Sequence, residues 1–245
     1  MLSLSILDKK TLFSAGQKHQ PARKAILGVD AKPRLKGFQD AIAFAQITKE
    51  CARRTSERIT VADIGGDQSR LLPLLLDKHP NMDSFIVDTW SQSIGNGTTQ
   101  RPDVGPRIEL IDALLGQPET SKIISDNSFD IVTSISVVEH VPEEDLTAFF
   151  ADSLRICKPG GVILHYIDLH INDEPVSIRG EATAKALELG CGPLDIRPDS
   201  WAMQSRYASN PDSMMFRWGE RGENMAFRAR MQAICMIARI DKPLV

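Results

Sequence analysis

The sequence predicts an α/β fold, a doubly wound and mostly parallel sheet with helices on both faces. Three observations predict it. The chain has 245 residues with 42% hydrophobic composition, enough for one α/β domain. Strand-like and helix-like segments alternate through its middle, the pattern of crossover connections. The segment Ile59–Leu76, "ITVADIGGDQSRLLPLLL", runs from an apolar stretch through glycines into an apolar-rich segment, a strand–turn–helix unit.

The elements follow in order. Residues 1–35 are mixed and turn-rich around "KHQPARK", and are expected to form an arm or a short helix. Gly37–Arg54 has helical apolar spacing and is expected to pack on the sheet edge. Strands are expected at Ile59–Ile64, Ser84–Asp88, Arg107–Ile111 (ending just before Asp112), "SFDIVTSIS", "VILHYIDL" and Ala233–Ile240. A helix should run from about Ser69 to Lys78, with Pro73 in its first turn, where no amide donor is required. "PEEDLTAFFADSLRIC" should be helical, with acids at its positive end, and "KPGG" should stop it. "TWSQSIGNGTTQRPDVGP" reads as a loop. Residues 170–225 are irregular apart from a helical piece at Glu181–Leu189, and suit a small cap inserted before the last strand. The resulting organisation is a single domain. Its parts are an N-terminal helical arm (1–57), a core (58–169), a substrate-covering insertion (170–225) and a last strand (226–245).

The formal net charge of -3 gives no basic excess, so a nucleic-acid partner is not expected. No apolar run is long enough to span a bilayer, and the charged start "MLSLSILDKK" does not suit a signal-peptide core, so no membrane partner and a cytoplasmic location are expected. Cys51, Cys157, Cys191 and Cys235 are widely spaced without C-x-x-C, and free thiols are expected.

Open α/β sheets bind ligands outside the carboxyl ends of their strands. Those ends carry Asp63, Gly65 and Gly66; Asp88; Asp112 and Ala113; Ser134 to His140; and His165 to His170. Bare glycines permit close approach of a ligand to the backbone, and the helix start behind them offers amide donors. Asp88 suits a pair of ribose hydroxyls. Asp112 suits an exocyclic amine, with the Ala113 amide directed to the ring. Each Asp also has a plain reading as a cap or turn former. His165, His170, Asp168 and Asp173 match no common zinc spacing, so no metal is expected.

With these residues in view, Ile59–Leu169 resembles the class I S-adenosylmethionine-dependent methyltransferases. "VADIGGDQS" is similar to their first motif, "FIVDTW" to their second, and "IDALL" with "SFDIVTSISVVEHVPEEDL" to their adenine and fourth-strand region. "ADSLRICKPGGVILHYIDL" resembles the helix, turn and fifth strand that follow. The resemblance implies a Rossmann-like, seven-stranded sheet and S-adenosylmethionine as cofactor. It implies a cofactor site at Asp63, Gly65, Gly66, Asp88, Asp112, Ala113 and Ser134, and a small-molecule acceptor, a hydroxyl on a glycan or secondary metabolite. A homodimer stays open. Where the pattern has spaced glycines this chain has Asp67 and Ser69. Asp67 brings negative charge toward the cofactor's carboxylate, unless it turns outward to cap the helix. That departure keeps a second reading open, a methyltransferase-like binding or regulatory protein without turnover. A dinucleotide site is disfavoured because G-x-G-x-x-G is missing. Methyl transfer needs a base only where the acceptor loses a proton. His170, expected past the end of its strand, is the first candidate and His140 the second. Trp201, Tyr207, Phe216 and Trp218, with Arg197, Arg206 and Arg217, are candidates for an acceptor pocket.

Overall fold

A computed structural model describes residues 2–6, 35–54, 58–90, 101–171, 178–192 and 232–244. The elements are β1 (Leu2–Ile6), α1 (Leu35–Arg53), β2 (Ile59–Ile64), α2 (Leu71–Lys78), β3 (Met82–Asp88), β4 (Ile108–Asp112) and α3 (Thr120–Ile123). They continue with β5 (Phe129–Ile135), α4 (Leu146–Ile156), β6 (Cys157–Ile171), α5 (Ile178–Cys191) and β7 (Gln232–Asp241). Seven strands form one sheet in the order β1-β7-β6-β5-β2-β3-β4. β6, β5, β2, β3 and β4 are mutually parallel, and β7 runs antiparallel to both β6 and β1.

Strand β5 explains the parallel centre. Ile131, Val132, Thr133 and Ser134 are all buried, because helices cover both faces. On one face α1 presents Ala43, Ile47 and Cys51 at i, i+4 and i+8, all buried, and joins α2 in a core with Ile59, Val61, Leu72, Leu75, Ile86 and Tyr166. On the other face α4 buries Leu146, Phe149, Phe150, Ser153 and Ile156, again at helical spacing, and packs on α5. The alternation expected for β6 holds through Ile167. The Tyr166 hydroxyl donates to Gln46 Oε1 on α1 at 2.7 Å, while His165 lies 5.5 Å from both the Phe149 and Phe150 rings.

Several expectations need correction. The N-terminal segment is not only a helical arm, because Leu2–Ile6 pairs with β7 and supplies the seventh strand. The pairing joins residues more than two hundred positions apart, so no local signal marks it. Helix α1 lies on the sheet face rather than its edge, since its small-residue stripe can approach the strands closely. Its Glu50 is paired to Arg239 of β7 at 2.9 Å and to Arg54 at 3.1 Å, which clips the antiparallel strand beneath the helix. Asp112 lies inside β4, opposite Asp88. The first acidic turn expected of α4 is a separate 3-10 turn, Glu143–Asp145. "KPGG" does not precede a new strand but forms an irregularity within β6, between the pairs Phe129–Cys157 and Ile131–Val162. His170 is not past the strand end; it lies within β6, paired with Ala233.

The cap expected at 170–225 and its aromatic and arginine residues lie outside the described residues, apart from His170 and Ile171 in β6 and helix α5 with Gly192. Cys51, Cys157 and Cys191 are free thiols, the first two buried, and burial pushes Cys51 up to about 11 and Cys157 to about 12. Among the described residues no helix is long and apolar enough to cross a membrane, and no cluster of His, Cys, Asp and Glu is placed to hold a metal.

Candidate functional site

The sheet changes direction of winding between β2 and β5. The chain moves outward from β2 through β3 to β4, then returns to start β5 on the other side of β2. A crevice outside the carboxyl ends is expected at such a point. Left-handed backbone gathers there. Gly65 has φ +66, Asp67 has φ +43, and Ser136, just beyond β5, has φ +55. Non-glycine residues seldom adopt this region without surrounding structure that compels it.

Each glycine answers first to its own fold. A Cβ at Gly65 would lie 2.6 Å from Val137 Cγ2, and one at Gly66 would lie 2.9 Å from Asp63 Oδ2. The Gly65 amide donates to the Val87 carbonyl at 2.8 Å. Asp63 is buried and accepts the Ser69 hydroxyl at 2.6 Å, while Ser69 Oγ accepts the Leu72 amide at 3.3 Å. Ser69, not Asp67, therefore bonds the start of α2. Arg70 reaches back to Asp40 of α1 at 2.9 Å, and the Ser136 hydroxyl donates to Gln39 Oε1 at 3.2 Å. The amino end of α1 is thus tied to both sides of the crevice.

Asp88 is the centre of the arrangement. Its Oδ2 accepts the Asp67 amide at 3.0 Å and its Oδ1 accepts the Thr89 amide at 2.8 Å. Burial raises its pKa above the ordinary carboxylate range; the two amide bonds oppose that rise, and the nearby charges of Asp67 and Asp112 add to it. Each carboxylate oxygen keeps acceptor capacity beyond its one amide, which suits two adjacent hydroxyl donors. Asp112, in register with Asp88 on the next strand, is partly exposed and lies 3.9 Å from Arg101 Nη2. The set offers carboxylate acceptors on two neighbouring strand ends.

Two expected cofactor contacts are placed otherwise. The Ala113 amide donates to the Asp88 carbonyl at 3.1 Å, as part of the ladder between β3 and β4. Ser134 is fully buried with its hydroxyl 2.8 Å from His165 Nδ1, inside the sheet rather than at its end. Burial lowers His165 to about 3, so its ring is neutral at physiological pH. His140 ends the 3-10 turn Val138–His140 and is exposed, at the carboxyl side of β5. The side chain of His170 lies outside the described residues.

Sequence reasoning missed Gln39, Trp90 and Arg101, and it gave Ser69 and Ser136 no partner. Trp90, two residues after Asp88, is only 4% exposed, and Arg101 stands over its ring at 5.6 Å. Ser69 carried a signal: a serine three residues before the Leu72 amide is a capping position. Ser136 and Gln39 carried none, being set by a contact across 97 positions.

The fold defines an α/β protein with a Rossmann-like sheet. Residues 62–165 match the model of the methyltransferase domain family, a span that runs from β2 into β6 and includes Asp63, Asp88, Asp112 and His140. The match covers less than half of the chain and makes that span similar to a methyltransferase domain.

Among solved structures the chain is similar to a phosphoethanolamine N-methyltransferase 2 of Haemonchus contortus in complex with S-adenosyl-L-methionine. Identity is 14%, TM-score 0.49, and the match covers 96% of this chain and 57% of that one. It is also similar to an O-methyltransferase family protein of Burkholderia thailandensis, at 16% identity and TM-score 0.45, covering 97% of this chain and 65% of that one. A third is an arsenic(III) S-adenosylmethionine methyltransferase of Chlamydomonas reinhardtii, at 14% identity and TM-score 0.46, covering 86% and 75%. The chain spans less than two thirds of the length of the first two. No curated protein matches the chain.

Proposed function

We propose that this chain is an S-adenosylmethionine-dependent methyltransferase acting on a hydroxyl of a small-molecule acceptor, a glycan or secondary metabolite. The observation that carries the cofactor half of the reading is the register of Asp88 with Asp112 beside the glycine turn. In this reading Asp88 accepts the two ribose hydroxyls and Asp112 accepts the adenine amine. Asp63, Gly65 and Gly66 form the turn over which the methionine part lies. Asp63 acts through Ser69, shaping the turn. The bound cofactor supplies a methyl on a positively charged sulfur, and transfer makes an O–C bond as the C–S bond breaks.

The acceptor hydroxyl must lose its proton. His140, exposed beside the end of β5, is the base we assign to it. Holding acceptor and methyl in line does most of the remaining work.

The test is calorimetric titration with S-adenosylhomocysteine, with NADH as control, on wild type and Asp88→Ala. Loss of charge-assisted hydroxyl bonds should weaken binding by about 1.5–3 kcal/mol. Affinity equal to wild type in a folded variant removes Asp88 from the site. A panel of hydroxylated acceptors, read by release of S-adenosylhomocysteine, then tests the acceptor class; methylation confined to amines would overturn it.

A second reading, binding without turnover, has one observation in its favour. The Asp67 amide bonds Asp88 Oδ2 at 3.0 Å, which keeps an additional acid beside the carboxylate assigned to the cofactor. Cofactor binding with no turnover across amine, hydroxyl and carbon acceptors would favour it.

A further inference from the structure

Arg101 and Trp90 are not absorbed by the reading above, yet both meet its adenine subsite. Arg101 Nη2 lies 3.9 Å from Asp112 Oδ2, and its guanidinium carbon lies 5.6 Å from the centre of the Trp90 ring. Trp90 follows Asp88 by two residues and is buried, so its indole is a fixed surface. Arg101 itself is 56% exposed, and Asp112 is 30% exposed. A planar, nitrogen-bearing cation therefore stands on an aromatic wall and against a carboxylate. Those are the partners that suit an adenine: a flat ring against the wall, and an amine toward the carboxylate.

We propose that Arg101 competes with the adenine of the cofactor for Asp112, so that binding exchanges one planar group for another. The inference rests on the assignment of Asp112 to the adenine. The exchange is physically cheap. A half-exposed ion pair at this separation contributes little, and a half-exposed cation over an aromatic ring contributes a similarly modest amount. Arg101 thereby lowers cofactor affinity without touching the reacting atoms. It is an affinity-setting residue, and the exchange also lets salt act on the binding of an otherwise uncharged adenine.

The test uses S-adenosylhomocysteine titrated into wild type, Arg101→Ala, Asp112→Asn and the double variant, at low salt and at about 0.5 M salt, where exposed pairs are screened. Arg101→Ala should bind about three- to ten-fold more tightly at low salt, the combined weight of the ion pair and the cation–ring attraction that the adenine no longer has to displace. Wild-type affinity should approach that of Arg101→Ala as salt rises, and the variant should stay nearly flat. In the Asp112→Asn background the arginine substitution should change affinity less, since the ion pair is already gone. Equal or weaker binding by Arg101→Ala, with Asp88→Ala still weakening both proteins, overturns the competition and leaves the cofactor assignment standing. No binding by any of the proteins overturns both.

Discussion

Replacing Gly65 by alanine tests whether the glycine turn is dictated by the fold itself. Gly65 has φ +66, where a side chain costs about 1–2 kcal/mol. The added Cβ would also stand 2.6 Å from Val137 Cγ2 and 2.9 Å from Cγ1. Val137 has little room to retreat, because it is β-branched and the next residue, Val138, is fully buried. Overpacking of this kind costs about 1–3 kcal/mol. Alanine recovers a part through the unfolded chain, about 0.4–1 kcal/mol. The balance is about 1–4.5 kcal/mol, a fall in Tm of about 2–18 °C for a chain of this size. Gly105 supplies the control, with φ +81 but nothing within 4 Å of its would-be Cβ. Gly105→Ala should cost only the backbone strain, about 1.5 kcal/mol or less after the same recovery. Urea unfolding of both variants, and of Gly65→Ala in a Val137→Ala background, measures the difference. In that background the penalty at Gly65 should fall to the level of Gly105. A Gly65→Ala protein no less stable than Gly105→Ala would refute the contact with Val137 as the reason for the glycine.

Two further outcomes are expected of the site. Because burial and the neighbouring acids raise Asp88, S-adenosylhomocysteine affinity should be full at neutral pH. It should fall as pH drops through that raised value, at a higher pH than an ordinary carboxylate would give, and Asp67→Asn should move the midpoint toward acid; a pH series of titrations checks both. His140→Ala should reduce methyl transfer about a hundred-fold or more with S-adenosylhomocysteine affinity unchanged, and equal turnover in single-cycle assays would remove His140 as the base.

The parallel centre of the fold was legible because both its signals are local. β5 sets Phe129, Ile131, Val132 and Ile135 close together, and α4 repeats its buried residues at helical spacing, so each announces itself within a dozen positions. What escaped depends on partners far along the chain. β1 is a strand because β7 runs beside it, and Leu2–Ile6 gives no sign of that partner. α1 was recognisable as a helix, but its seat on the sheet face follows from Gln46 meeting Tyr166 and Glu50 meeting Arg239. The acids were legible as a set, since strand ends can be counted. Their chemistry was not: whether the Ala113 amide faces a ligand is decided by the ladder to Asp88, and whether Ser134 faces a crevice is decided by the depth of β5 beneath α4.

The glycines illustrate how a correct motif can rest on an incomplete reason. Read from sequence, Gly65 and Gly66 are bare so that a ligand can approach. In the folded chain Val137 and Asp63 already claim the space a Cβ would fill, and the same glycines would be required by an empty turn. Their presence therefore says little about what binds. The discriminating feature is what the turn does to its neighbours. By taking φ +43, Asp67 turns its amide onto Asp88, and Thr89 supplies the second amide, so a half-buried carboxylate is fixed in one orientation with acceptor capacity to spare. A carboxylate that served only as a turn former would gain nothing from burial beside two further acids, which together raise its pKa and cost it stability as an anion. That cost is intelligible if a ligand's donors offset it, and this makes Asp88, more than the glycines before it, the residue on which the cofactor assignment turns.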